Sequence, residues 1–126
     1  MEGVADTSIF VSLENGAHLP DVSVELAVSV MTIAELHIGV LLATTPEDRA
    51  RRLQTAADVE SRFEPLPVTL DVARRYATLG DAARLAGRKP KVIDLLIAAT
   101  ASVQGLPVYT RDRDFERIPG VDVRLL

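Results

Sequence analysis

The chain has 126 residues and no cysteine. Disulfides and thiolate metal sites are therefore closed to it. Histidine is almost as scarce, with only His18 and His37 present. His37 shares a predicted helix with Glu35, but helical geometry turns it about 200° away. No His, Cys or Ser constellation of the kind used in nucleophilic catalysis is visible. No uninterrupted apolar run reaches membrane-spanning length. The opening "MEGVADTSIF" has no basic region followed by an apolar run, so a secretory signal is not expected. These absences predict a cytoplasmic protein with no membrane association.

Lysine is also rare. Of 14 basic residues, 12 are arginine and only Lys89 and Lys91 are lysine. The net charge of −4 argues against a broad nucleic-acid-binding surface. The cations gather locally instead: Arg49, Arg51 and Arg52; Arg84, Arg88, Lys89 and Lys91; Arg111, Arg113 and Arg117. Such clusters are either solvated helix faces or local phosphate contacts around an acidic centre. What is plentiful is apolar material, at 48% of residues, enough for one core in a single domain spanning 1–126.

The order of elements is readable. "GVADTSIFVSLENG" predicts a short strand ending near Asp6. A helix with apolar Ile9, Phe10 and Leu13 follows and stops at Asn15-Gly16. "VELAVSV" alternates and is β-branched, a strand. "TIAELHIGVLLA" has Ile33, Leu36 and Val40 at helical spacing. Pro46 suits a first helical position, and that helix runs through "EDRARRLQTAADVESR". "FEPLPVT" is strand-like, its prolines pointing to a sheet edge. Asp71 is a candidate cap for "VARRYATLGDAARLAG", with Gly87 as the stop. Pro90 can open the helix carrying Asp94. "LPVYT" is a strand, "RDRDFERI" a turn and short helix, and "VDVRLL" a last strand. Alternating strands and helices predict a three-layer α/β/α sandwich around a five-stranded parallel sheet. Ligands of such sheets bind beyond the carboxyl ends of the strands, where strand order reverses.

Several acidic residues fall near those ends. Asp6 follows the first strand and could simply cap a helix. Glu35 closes "TIAE", a capping-box pattern with Thr32. Asp94 is harder to explain, because from Val92 to Val103 nearly everything else is apolar or small. An ionised carboxylate is costly to bury without a partner. Lys91, Ala98 and Ala101 share its face, so either Lys91 pairs with it or this close-packed face meets a cation. Asp112 and Asp114 follow the fourth predicted strand in "TRDRDF", where one is expected to cap. If the strands adjoin, these carboxylates converge. Two of them about 4 Å apart repel by roughly 4 kcal/mol at an effective dielectric near 20. Such a cluster raises its pKa values or holds a cation. Oxygen ligands favour Mg²⁺ or Mn²⁺ over zinc. Hard divalent ions on carboxylates are equipment for phosphodiester hydrolysis.

The segments "VADTSIF", "SVMTIAELHIGV" and "VIDLLIAATASVQGLPVYTRDRDFERIPGVDV", in this order, resemble the PIN-domain ribonucleases. The closest likeness is to the VapC-type toxins of bacterial and archaeal toxin–antitoxin pairs. The resemblance spans nearly the whole chain, and its C-terminal block is the most specific part. It implies a PIN-like α/β/α sandwich and Mg²⁺- or Mn²⁺-dependent endonucleolytic cleavage of RNA, leaving a 5′-phosphate and a 3′-hydroxyl. Carried over by position, it implies Asp6, Glu35, Asp94 and Asp112 as catalytic metal ligands with Asp114 beside them. Thr110 and Thr7 would support the site, and Arg88, Lys91, Arg111 and Arg113 would hold RNA backbone. It also implies a homodimer and a small antitoxin whose tail covers the groove. The helices near 32–43 and 47–60 are candidates for the dimer face.

Two other readings fit the same pattern. One is a catalytically inactive PIN fold used for binding. The other is a phosphoacceptor signalling domain, which needs an aspartate after its third strand and a lysine after its fifth. "FEPLPVT" ends without the first and "VRLL" lacks the second.

Overall fold

Short apolar strands and capped helices alternate along the chain. In the computed structural model, residues 1–18 and 25–126 are described. They form β1 (Gly3–Ala5), α1 (Thr7–Glu14), β2 (Leu26–Val28), α2 (Val30–Leu42), α3 (Pro46–Arg62), α4 (Leu70–Leu85), α5 (Val92–Val103), β3 (Val108–Thr110), a 3-10 helix (Arg113–Arg117) and β4 (Val123–Leu125). Local chemistry accounts for most boundaries. Asn15 closes α1 and Gly16 then turns at φ +82°, a conformation glycine adopts without strain. Thr45 caps α3 with Pro46 in its first turn. Gly87, at φ +71°, ends α4. Val24, the first residue of the predicted second strand, lies outside the described residues.

The strands form one parallel sheet in the order β2-β1-β3-β4. The chain steps from β1 to β2 on one side, then returns to β3 on the other, so strand order reverses at β1. Paired residues share a face. Val4, Ala27 and Val108 pack with Leu79, Leu95, Ile97 and Phe115, under α4, α5 and the 3-10 helix. Ala5 and Val28 pack the other way, with Ile9, Leu36, Ala56 and Val59 of α1, α2 and α3. The expected three layers are therefore present. Gly3 lets β3 lie close, because a Cβ there would strike the Tyr109 ring.

Among the described residues the sheet has four strands where five were expected. "FEPLPVT" makes a single bridge, Ser29 to Leu66. The Leu66 N–H donates to Val28 O at 2.8 Å and its carbonyl accepts from Val30 N at 2.9 Å. Both polar groups of Leu66 face β2, so the nitrogens of Pro65 and Pro67 face the outer side, where their missing N–H groups keep a further strand from adding. Three local expectations also change. Thr69, not Asp71, caps α4, accepting from Val72 N at 3.2 Å. Asp71 sits in the first turn instead, 3.7 Å from Arg74. Helix α2 starts earlier than Thr32, capped by the Ser29 hydroxyl on Met31 N, so Glu35 lies beyond reach of a capping box. Pro90 precedes α5 by two residues, with Lys91 at the cap position.

Candidate metal centre

Asp6 is the first residue past β1, where strand order reverses. Its backbone N–H donates to Tyr109 O at 2.9 Å, tying the end of β1 to β3. Its side chain is almost fully buried. Oδ2 accepts from Ser8 N at 3.2 Å and from the Thr110 hydroxyl at 2.9 Å. Asp6 is thus a helix cap and a site residue at once. Thr110 also accepts from Asp112 N at 2.9 Å and lies 3.2 Å from Ser8 Oγ, which accepts from Arg111 N at 3.0 Å. Thr110 has one proton and spends it on Asp6, so Ser8 is the donor between the two hydroxyls. Ser8 was legible only as a possible cap. Its link to β3 spans 102 residues of chain, so no local signal marked it.

Glu35 reaches the same point from α2. Its Oε1 accepts from the Thr7 hydroxyl at 2.6 Å, and Thr7 Oγ1 lies 3.1 Å from the buried Thr32 Oγ1. Burial pushes the Glu35 carboxyl up; the Thr7 hydrogen bond opposes that, while the Asp6 charge adds to it.

Asp94 arrives from α5, whose inner face is Leu95, Ile97, Ala98, Ala99 and Ala101, all essentially buried. The small side chains bring this helix hard against the sheet. Asp94 itself is 7% exposed. Its carboxylate accepts no hydrogen bond and makes no ion pair among the described residues. Lys91 does not come within ion-pair distance, although its charge is felt. Asp94 is pushed up to about 6, first by burial and then by the charges of Asp6, Glu35 and Asp112. One oxygen from each of Asp6, Glu35 and Asp94 lies within 4.8 Å of the others. Three buried or half-buried carboxylates, one without any donor, are a poor arrangement for an empty pocket and a good one for a hard divalent cation. The donor set, all oxygen, fits Mg²⁺ or Mn²⁺.

The model of the PIN domain family matches residues 4–121. The chain belongs to the PIN domain family. It is 42% identical over 120 residues to Ribonuclease VapC5 of Mycobacterium tuberculosis, covering 94% of this chain and 88% of that protein. It is 40% identical over 122 residues to Ribonuclease VapC4 of the same organism, covering 95% and 93%. Among solved structures it resembles VapBC-5 of Mycobacterium tuberculosis, a member of the VapBC family of toxin–antitoxin systems. The TM-score is 0.83 at 41% identity, with 99% of this chain and 97% of that one covered.

Not every predicted residue of this PIN domain joins the trio. Asp112 lies outside the three-carboxylate group, though its charge acts on Asp94. It caps the 3-10 helix, with Oδ1 accepting from Asp114 N at 2.9 Å. Asp114 is exposed and lines a cavity of about 120 Å³ with Asp94, Arg88, Lys89, Lys91 and Arg117. Arg88 donates to Arg117 O at 3.0 Å within that cationic wall. Arg111 and Arg113 are exposed on the segment after β3. His37 contacts Glu60 of α3 at 2.5 Å and takes no part in the trio.

Proposed function

We propose that this PIN domain is a Mg²⁺- or Mn²⁺-dependent endoribonuclease and the toxin of a type II toxin–antitoxin pair. The observation that carries this reading is Asp94: buried, without a donor, and beside Asp6 and Glu35 at the point where strand order reverses. The names of its relatives at 40–42% identity, both VapC ribonucleases, support the activity. A bound divalent cation supplies charge neutralisation at the phosphate and a lowered pKa for water. The protein's part is to hold oxygens still. Thr110 and Ser8 fix Asp6 through Oδ2, leaving Oδ1 without a protein hydrogen bond among the described residues. Thr7 fixes Glu35 through Oε1. Asp94 is oriented by α5 alone. Asp112 adds negative charge behind Asp94 and can act through water, with Asp114 nearer the rim. Lys91 and Arg88 stand at the Asp94 side, and Arg111 and Arg113 follow β3, to bind backbone phosphates on either flank.

An antitoxin fits the same chemistry, because a guanidinium can neutralise the trio with charge-assisted hydrogen bonds. The exposed Ile38, Leu41 and Leu42 of α2, with Leu53 of α3, are the apolar surface offered for homodimer formation. No helix is long and apolar enough to cross a membrane among the described residues.

The deciding experiment is RNA cleavage by the wild type, Asp6→Asn and Asp94→Asn proteins, with and without a chelator. Cleavage should need the metal and both aspartates. Undiminished cleavage by either variant would remove the proposal.

A further inference from the structure

A second cavity opens at the Glu35 end of the carboxylate trio. Its volume is about 230 Å³, and it lies between the end of α1, the middle of α2 and the start of α3. Val11 and Leu36 give it apolar walls, Glu14 and Asn15 a polar edge, and Arg51 and Arg52 a cationic side. Arg52 is half-buried, and its Nη1 donates to Gly39 O at 2.7 Å. That bond anchors the guanidinium beside the cavity while its remaining donors are unused among the described residues.

Gly39 also lines this cavity. It stands one turn beyond Glu35 on the same side of α2. A glycine inside a helix costs up to about 1 kcal/mol relative to alanine. A Cβ at position 39 would meet no atom within 4 Å. Packing within the described chain therefore gives no reason for glycine here. A ligand that approaches the α2 backbone closely does.

We infer that this cavity is a nucleoside subsite for single-stranded RNA, next to the phosphate that is cut. Arg52 contacts the adjoining phosphate, Val11 and Leu36 flank the base, and Glu14 and Asn15 meet its edge. The inference rests on the ribonuclease reading above. The volume falls below the roughly 300–1,000 Å³ of pockets for drug-sized ligands, as one nucleoside requires. The polar edge offers both acceptor and donor groups, as a base edge demands. Glu35 belongs to both the trio and this cavity, so the subsite is continuous with the chemistry. The cationic cavity at Asp94 would take the strand on the far side of the cut.

The test uses Gly39→Met and Glu14→Gln in the full-length protein. Cut sites are first mapped on total bacterial RNA, and kinetics then follow on an oligonucleotide carrying the main site. Gly39→Met should fill the cavity and lower kcat/KM by about tenfold or more, mainly through KM. Its Mn²⁺ affinity and melting temperature should not fall. Glu14→Gln should keep cutting but change the base preferred beside the cut. A Gly39→Met protein that cuts with unchanged kcat/KM at unchanged sites overturns the subsite. So does one that cuts normally but no longer binds a co-expressed antitoxin, which would assign the cavity to that protein. If the wild type neither cuts nor binds RNA, both the subsite and the ribonuclease reading fall. If it cuts and only the variant results disagree, the subsite alone falls.

Discussion

Helices α5 and α2 each deliver one carboxylate to the same point, yet they are built differently. Seven of the twelve residues of α5 are buried, including Asp94. Only Thr32, Leu36 and Val40 of the thirteen in α2 are buried, and Leu41 and Leu42 lie open. Asp94 is held by packing alone, whereas Glu35 is held by a hydrogen bond from Thr7. A helix sealed in the core can fix a carboxylate without donors. A helix with one free face needs a tether, and that free face remains available for other contacts.

The largest expected effect lies at the sealed end. Asp94→Asn should lower RNA cleavage by about a thousandfold, measured as single-turnover rate, since it removes charge where charge must be balanced. The same change should raise the melting temperature of the metal-free protein, because repulsion from Asp6 and Glu35 disappears. A fall in both would mean that Asp94 serves the fold and not the metal.

Next come the helices themselves. Ile97→Ala, at a fully buried position of α5, should cost about 2–5 kcal/mol in denaturant unfolding. Leu41→Ala, at the open face of α2, should stay within about 0.5 kcal/mol when unfolding is followed at a concentration where the protein is monomeric. Equal losses would erase the contrast between the two helices.

A smaller effect should appear with pH. The folded Asp94 carboxyl is raised from 3.8 to about 6, so the metal-free fold holds that proton more tightly than the unfolded chain. Its contribution to stability is therefore complete below about pH 4 and is lost as pH rises through 6. Metal binding needs the proton gone, so Mn²⁺ affinity should rise about tenfold from pH 5 to 7 and level off above. Calorimetric titration at several pH values checks this, and the step should vanish in Asp94→Asn.

The smallest change is Thr7→Val. It removes the tether on Glu35 and should cost about 1 kcal/mol of stability. Glu35 should then titrate higher, because the Thr7 hydrogen bond now holds it down. An NMR titration of the Glu35 carboxyl in both proteins would show the direction.

Most of the element order was readable along the chain, as were the acidic positions near the strand ends. Asn15-Gly16, Pro46 and Gly87 act on their immediate neighbours, and periodicity needs only a dozen residues to declare a helix. The misplaced caps show how narrow the local margin is. Ser29 stands three residues before Thr32 and Thr69 two before Asp71, so neighbouring residues of similar capping chemistry compete for each helix start. Asp94 stood out in the sequence because its surroundings are so apolar. Thr110 could be named only through family resemblance, since its bond to Asp6 crosses 104 residues.

By itself, then, the sequence determined the helices, their sidedness and which acidic residues stood near strand ends, because those follow from interactions among near neighbours. Tertiary structure alone decided that the predicted fifth strand touches the sheet only at Leu66, because the path between α3 and α4 follows from where those helices pack. It alone decided that Asp6, Glu35 and Asp94 meet while Asp112 stays just outside. That outcome depends on which strand lies beside which, and only the folded sheet sets it.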